Sequence, residues 1–269
     1  MYKAYWNLNC RPFDDGADPK FYYSGRSHQT CLLKLRYVIE QRKGCALLVG
    51  EHGTGKSFLS HVLEDELADE NVRFVRLVIP QLSPSEMLQY FASQVGGGPA
   101  SSGAVEYTLL RLEEKMQEIA ATGVHLVLVI DEAHLLAQEH LSALRLLLNL
   151  REERRADFSL LLIGRVELLA QVRRQHALDQ RVSVRAALTP LSVNEVREYV
   201  HDRTSAAGAD REIFHANSAQ TIWELSAGIP RRINQLCDLA LLVGYADALQ
   251  SLGPIEIKAA GEEIAAVAA

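Results

Sequence analysis

The sequence predicts an α/β protein: a three-layer sandwich around a five-stranded parallel sheet, with an all-helical domain behind it. Three observations carry this. Five short apolar runs alternate with helical patterns, as in parallel sheets covered on both faces. A glycine-rich loop joins the first apolar run to the helix after it. Beyond Pro190 the strand signal stops and only helical patterns follow.

Taken in order, the first run is Cys45–Val49. It leads into Gly50-Glu51-His52-Gly53-Thr54-Gly55-Lys56-Ser57, which matches G-x-x-x-x-G-K-[ST] at every fixed position. A helical pattern without proline follows from Phe58 to Leu67. Strand, glycine loop and helix together are the context that identifies a phosphate-binding P-loop. Its backbone N–H groups and the helix N-terminus form a site for anionic oxygens. Lys56 is expected to reach the β- and γ-phosphates, Ser57 to ligate Mg²⁺, and Gly50–Phe58 to line the nucleotide.

The remaining strand runs are Val72–Ile79, His125–Ile130, Phe158–Gly164 and Val182–Leu188. Leu126–Ile130 is apolar throughout, as a central parallel strand is. Helical patterns lie at about Lys56–Glu70, Pro84–Val95, Val105–Ala121, His140–Glu152 and Glu167–His176. Gly96–Gly103 reads as a solvated connector. After Pro190, Ser192 with Glu195 three residues later forms a capping box at the start of a helix. Further helices are expected at about Ser218–Ser226, Arg231–Leu249 and Ile255–Val267, separated by Gly208, Gly228-Ile229-Pro230 and Gly253-Pro254. The domains expected are 1–190, a nucleotide-binding core including the aromatic N-terminal segment, and 191–269, a helical lid.

Composition bounds the function. With 269 residues, 48% of them apolar, the chain can build a substantial core. No apolar run reaches the 18 or so residues of a membrane span, and the N-terminus lacks a signal peptide's apolar stretch. Cys10, Cys31, Cys45 and Cys237 form no C-x-x-C pair and fit buried thiols in a reducing cytoplasm. A net charge of −6 gives no overall attraction to nucleic acid. Local patches remain open: Arg145, Arg151, Arg154 and Arg155, interspersed with Glu152, Glu153 and Asp157, and Arg173, Arg174, Arg181 and Arg185.

Asp131-Glu132-Ala133-His134 follows the third run. An acidic pair at the C-terminal end of a parallel strand lies where α/β sheets bind ligands. Downstream of a P-loop it reads as a Walker B pair. Asp131 would hold Mg²⁺ beside Ser57, and Glu132 would be the general base for the attacking water. The letters D-E-A-H also occur in helicases, but those need two tandem nucleotide-binding cores and a longer chain. Three arginines are candidates for stabilising charge on the transferring phosphoryl group. Arg165 follows the fourth strand, at the same sheet edge as Glu132. Arg181, just before the fifth strand, could project to a neighbour's nucleotide. Arg231, with Arg232 as its competitor, opens a helix after Gly228-Ile229-Pro230.

This set, with Gly228-Ile229-Pro230-Arg231-Arg232-Ile233-Asn234 in a helical lid, resembles an AAA+ ATPase. Within that class the chain is similar to the general secretion pathway protein A family. The opening Met1-Tyr2, Trp6-Asn7-Leu8, Pro12-Phe13, Asp18-Pro19 and Phe21-Tyr22 carries the similarity, as do Leu144–Leu150 and Leu178–Val182. It runs from Met1 to about Ala266. The resemblance implies sheet order 5-1-4-3-2, Mg-ATP use, homo-oligomers, Arg231 as the sensor 2 residue and Arg181 as the arginine finger. It also implies that N-terminal aromatics, with Phe13 and Tyr22 as candidates, pack near the adenine. Family members commonly have glutamine where this chain has Arg165. They usually continue into a membrane span and a peptidoglycan-binding domain, so a membrane-anchored role is not carried over. The function expected is a cytoplasmic Mg²⁺-dependent ATPase that assembles or remodels a partner complex, with an envelope secretion or exopolysaccharide export system as the candidate. Two alternatives stay open: a DNA-linked helper ATPase of the transposition type, and a nucleotide-gated switch with weak hydrolysis.

Overall fold

The computed structural model describes residues 1–268 except 15, 17, 69, 79–80, 98–104 and 153–155. The chain divides into two compact units. One comprises Gln29–Glu51 and Lys56–Leu188; the other comprises Met1–His28, His52–Gly55 and Thr189–Ala269.

The first unit is the α/β core. Its strands are β1 (Cys45–Gly50), β2 (Val72–Leu77), β3 (His125–Ile130), β4 (Phe158–Gly164) and β5 (Val182–Leu188). All pair in parallel in the order β2-β3-β4-β1-β5, which is the order 5-1-4-3-2 read from the other side. The central strands β1, β3 and β4 are buried at every position, whereas the edge strand β5 alternates buried and exposed residues. Covered on both faces, the central strands read as unbroken apolar runs. Parallel strands need a crossover between each pair, and here helices supply them. They include α3 (Lys56–Glu66), α4 (Pro84–Ala92), α5 (Val105–Ala121), α6 (Gln138–Glu152) and α7 (Glu167–Arg174), with a short α8 (His176–Asp179) before β5.

Some elements differ from the sequence reading. Helix α3 ends four residues before Glu70. Helix α4, capped by a Ser83–Glu86 box, passes at Ser93–Gly97 into a wide turn in which Gly96 takes φ 123°. Most of the expected connector at Gly96–Gly103 lies outside the described residues, as does Ile79. A helix over Arg26–Glu40 (α2) went unread. Its Cys31, Leu32, Leu35, Val38 and Ile39 are buried at helical spacing, which is the signal that could have found it.

The second unit is helical. It contains α9 (Val193–Ala206), α10 (Ser218–Ser226), α11 (Pro230–Ala246) and α12 (Pro254–Ala268). Ser192 and Glu195 form the expected capping box on α9. The aromatic N-terminal segment was expected in the core domain, but it packs in this unit instead. Its first turn is α1 (Tyr2–Tyr5). Trp6 is completely buried, and its Nε1–H donates to the Leu241 carbonyl at 2.9 Å. Tyr5 donates to the Leu249 carbonyl at 2.7 Å, and Tyr2 to Asp238. Phe13, 3% exposed, meets Phe214 edge-on with ring centres 5.7 Å apart. Phe13 is therefore a core aromatic of the helical unit. The physical reason is size: a few short helices cannot close a sufficient apolar core alone, and Tyr2, Trp6, Leu8, Phe13 and Phe21 complete it. Gly244 makes room, since a Cβ there would lie 2.9 Å from the Trp6 ring.

Trp6→Ala should destabilise the helical unit by about 3–5 kcal/mol, the usual range for emptying a large buried aromatic site. Urea denaturation followed by far-UV circular dichroism measures this. A loss under about 1 kcal/mol would mean that the N-terminal segment is not part of that core.

Candidate nucleotide-binding site

In the core, parallel pairing brings the C-terminal ends of all five strands to one edge. Gly164 of β4 lies level with Val49 of β1, and Ile130 of β3 level with Leu162 of β4. Because β4 runs between β1 and β3, Arg165 leaves the sheet between the P-loop strand and the acidic strand. It is solvent-exposed.

β1 ends at Gly50 and α3 starts at Lys56, so the glycine loop is the link between strand and helix. Gly53 and Gly55 take φ of 83° and 93°, left-handed values that disfavour a side chain. The Lys56 side chain is tucked beneath the loop, with the residue only 7% exposed. Its ammonium donates to the carbonyls of Gly50 at 3.0 Å and Glu51 at 2.8 Å. Ser57 and Phe58, the next residues of α3, are half-buried. The first N–H groups of a helix have no partner within it, so this end of α3 is suited to an anion.

β3 is completely buried and delivers Asp131 to the sheet edge at 6% exposure. The Asp131 N–H donates to the Leu77 carbonyl at 2.9 Å, extending the ladder by one residue. Its Oδ1 accepts the Glu132 N–H at 2.8 Å, which fixes the carboxylate. Glu132 then adopts φ 49°, ψ 33°, uncommon for a residue with a side chain. This turn carries the chain off the strand and leaves the Glu132 carboxylate partly exposed. Although Glu132 precedes the helical turn Ala133–Leu135, its side chain makes no capping bond to it. Its Oε2 lies 3.3 Å from His134 Nδ1 instead. The end of β4 fastens this loop. The Arg165 N–H approaches His134 Nδ1 at 3.4 Å, and Gln171 donates to the His134 carbonyl at 2.9 Å. A Cβ on Gly164 would lie 3.0 Å from the His134 nitrogen, so glycine allows the close approach.

Arg181 lies elsewhere. It directly precedes β5, at the sheet edge opposite Asp131 and Arg165, and donates to Asn149 Oδ1 at 2.7 Å and to the Ala177 carbonyl. Two arginines of the expected patches are bonded within the fold too, whereas Arg173 and Arg174 are exposed. Arg151 donates to the Phe158 carbonyl at 3.0 Å, and Arg185 pairs with Asp179. Arg154 and Arg155 lie outside the described residues.

The tip of the glycine loop, His52–Gly55, belongs to the helical unit. There α11 starts with Pro230, directly before Arg231. The Arg231 N–H donates to the Gly53 carbonyl at 3.2 Å, and its guanidinium donates to His52 Nε2 at 2.8 Å. A Cβ on Gly53 would lie 2.9 Å from Arg231 Cβ. Of the two candidate arginines, Arg231 is the one brought to the loop tip. Tyr22 is half-buried in the same unit.

A residue not found from the sequence touches the loop as well. His28, in the first turn of α2, is 7% exposed, and its Nε2 lies 3.0 Å from the Thr54 carbonyl. A carbonyl only accepts, so Nε2 carries the proton. Burial holds the His28 pKa below the ordinary histidine range, so the ring is neutral. Nothing in Arg26-Ser27-His28 marks this role in one dimension.

A glycine loop after β1, an acidic pair after β3 and a polar residue just after the strand between them accompany a P-loop NTPase fold of the AAA+ class. Residues 39–172 match the model of the AAA domain family. General secretion pathway protein A of Aeromonas hydrophila is 30% identical over 99% of this chain. The chain carries an AAA domain and resembles the AAA+ ATPases of the general secretion pathway protein A family. It spans about half the length of that relative, 49%. Solved structures share the fold at low identity. Cdc6p from Pyrobaculum aerophilum has a TM-score of 0.75 at 17% identity, covering 94% of this chain and 70% of that one. The Aeropyrum pernix ORC2 protein has 0.71 at 17%, covering 95% and 72%. The Thermotoga maritima RuvB Holliday junction branch migration motor has 0.62 at 19%, covering 90% and 70%. No helix among the described residues is long and apolar enough to cross a membrane.

His28 also predicts a pH effect. Its folded pKa lies below the unfolded value of about 6.5, so the unfolded chain takes up the proton first. Its contribution to stability is intact above that value and is lost as pH falls below it, by at most about 1.4 kcal/mol per pH unit. Comparing urea midpoints of wild type and His28→Gln across pH 7.5 to 5 should give a shallower acid decline in the variant. Parallel declines would place the ordinary histidine pKa at His28.

Proposed function

We propose that this chain binds Mg-ATP at the glycine loop and hydrolyses it, using the cycle to assemble or remodel a partner complex. The observation that carries the reading is that the order β3-β4-β1 brings Gly50, Lys56 and Ser57, Asp131-Glu132 and Arg165 to one edge of the sheet. The Ser57 hydroxyl and the Asp131 carboxylate are hard oxygen donors, and Mg²⁺ accepts one or two such protein ligands together with phosphate oxygens. When bound there, the ion would supply neutralising charge at the phosphates.

The chain's own residues do the rest. Lys56 exchanges its bonds to the loop carbonyls for phosphate oxygens. Glu132, aimed away from the strand by its left-handed turn, takes a proton from the attacking water. Arg165 faces the same space and opposes charge that develops on the transferring group. Arg231 senses the nucleotide from the start of α11 and is released from His52 to do so. Arg181, on the opposite sheet edge, is proposed to serve a neighbouring subunit's nucleotide in a homo-oligomer.

The relative's name points to secretion, so the partner proposed is a component of an envelope secretion or export system. The fold neighbours include an Aeropyrum pernix ORC1 protein in complex with DNA and the Thermotoga maritima RuvB branch migration motor. Tethering of Arg151, Arg181 and Arg185 within the fold favours the protein partner over DNA.

Lys56→Ala should abolish tight Mg-ATP binding in calorimetry; wild-type affinity would remove the loop from consideration as the phosphate cradle. Glu132→Gln should retain Mg-ATP binding yet lose turnover by at least ~100-fold, in keeping with general-base contributions. Undiminished phosphate release would exclude Glu132 as the base. For Arg181, the test is mixing. Arg181→Ala subunits keep the base and lack the finger, whereas Glu132→Gln subunits have the reverse. A finger acting across subunits contributes roughly 10³–10⁵-fold to rate, so mixed assemblies should regain activity that neither variant has alone. Verified hetero-oligomers with no regained activity would confine Arg181 to a structural role.

A further inference from the structure

The Thr54 carbonyl and the Gly55 N–H belong to one peptide plane. In a trans peptide these groups point in opposite directions. Whatever fixes the Thr54 oxygen on one side therefore directs the Gly55 N–H to the other. This plane needs an anchor. Gly55 has φ 93° and no side chain, so rotation of the plane meets little steric resistance from it. Thr54 itself is completely buried.

We infer that His28 is a positioning residue for the phosphate loop, holding the Thr54–Gly55 peptide in the orientation that presents the Gly55 N–H to a nucleotide phosphate. The inference rests on the reading of Gly50–Ser57 as the phosphate cradle. His28 donates from Nε2 to the Thr54 carbonyl at 3.0 Å from a nearly dry environment. A Cβ on Gly55 would sit 3.5 Å from the same nitrogen, so ring and loop are in direct contact.

The imidazole is itself held. The neighbouring Arg26 N–H, at the start of α2, donates to Glu195 Oε1 at 3.0 Å, and Ser27 Oγ donates to the Thr189 carbonyl at 3.4 Å. The other Glu195 oxygen accepts the Ser192 N–H at 2.9 Å and its hydroxyl at 2.8 Å. One carboxylate thus caps α9 and fastens the helical turn that carries His28. Its Oε1 and His28 Nδ1 would both meet a Cβ on Gly25, at 3.3 and 3.4 Å, so a glycine lets the turn close. Sequence spacing hides this network, since 26 residues separate His28 from Thr54 and 169 separate Arg26 from Glu195.

The test compares side chains with and without a donor at this place. In His28→Gln, the terminal amide supplies an N–H with similar reach. In His28→Met, comparable volume is kept and the donor is lost. Binding of a fluorescent ATP analogue with Mg²⁺ is titrated for each, alongside His28→Ala. The Met and Ala variants should bind about tenfold more weakly than wild type, the effect of one hydrogen bond that organises a site. The Gln variant should stay within about threefold. Thermal melts establish that the compared variants are folded, and the Gln–Met pair decides the matter if His28→Ala is not. Equal affinity in the Gln and Met variants, whether both retained or both lost, assigns His28 to packing and overturns the inference. Lys56→Ala separates the two levels. Wild-type binding in that variant refutes the phosphate-cradle reading itself, whereas its loss beside unchanged binding in His28→Met refutes the positioning role alone.

Discussion

Uniform strand direction is the constraint on which the core depends. All five strands run parallel, so every strand ends at the same edge and every return passes through a helix. At that edge the hydrogen-bond ladder stops and backbone groups need new partners. The Asp131 N–H finds the Leu77 carbonyl, the Glu132 N–H finds the Asp131 carboxylate, and the Lys56 ammonium finds the carbonyls of Gly50 and Glu51. Polar side chains can gather there because the strands behind them are dry and rigid. The apolar interior of β1, β3 and β4 lends precision to a site made of loops.

Backbone conformation is put to two uses at this edge. Gly53, Gly55 and Gly164 have no Cβ, which permits left-handed turns at the first two and a close approach of the His134 segment at the third. Glu132 reaches a left-handed turn with a full side chain. Strained residues of this kind persist where surrounding contacts over-determine them. Asp131 on one side and His134, Gln171 and the β4 terminus on the other supply those contacts.

The helical unit assembles from distant parts of the chain. Its core joins residues near position 6 to residues near position 241 through one tryptophan and the glycine that admits it. It also contains the tip of the glycine loop, contacted by His28 and by Arg231. Arg231 donates to His52 Nε2, and two hydrogen bonds from one arginine, backbone and side chain, hold the tip. Residues that would sense nucleotide thus have partners of their own.

Much of this was legible in one dimension. The limits of β3 and β4 followed from apolar runs, because a strand buried on both faces has no polar alternation to blur it. The glycine loop and Asp131-Glu132 were readable because their chemistry depends on adjacent residues. Sequence by itself determined the strand–helix alternation, the P-loop, the acidic pair and the cap at Ser192, all local features whose physics lies within a few residues. Only the tertiary structure decided that the aromatic N-terminus fills the helical unit, that Arg181 bonds to Asn149, that Arg231 is the arginine at the loop tip, and that His28 holds Thr54. Each of these is a contact between residues far apart in sequence. Such contacts are set by which apolar surfaces close on one another, and no local spacing records them.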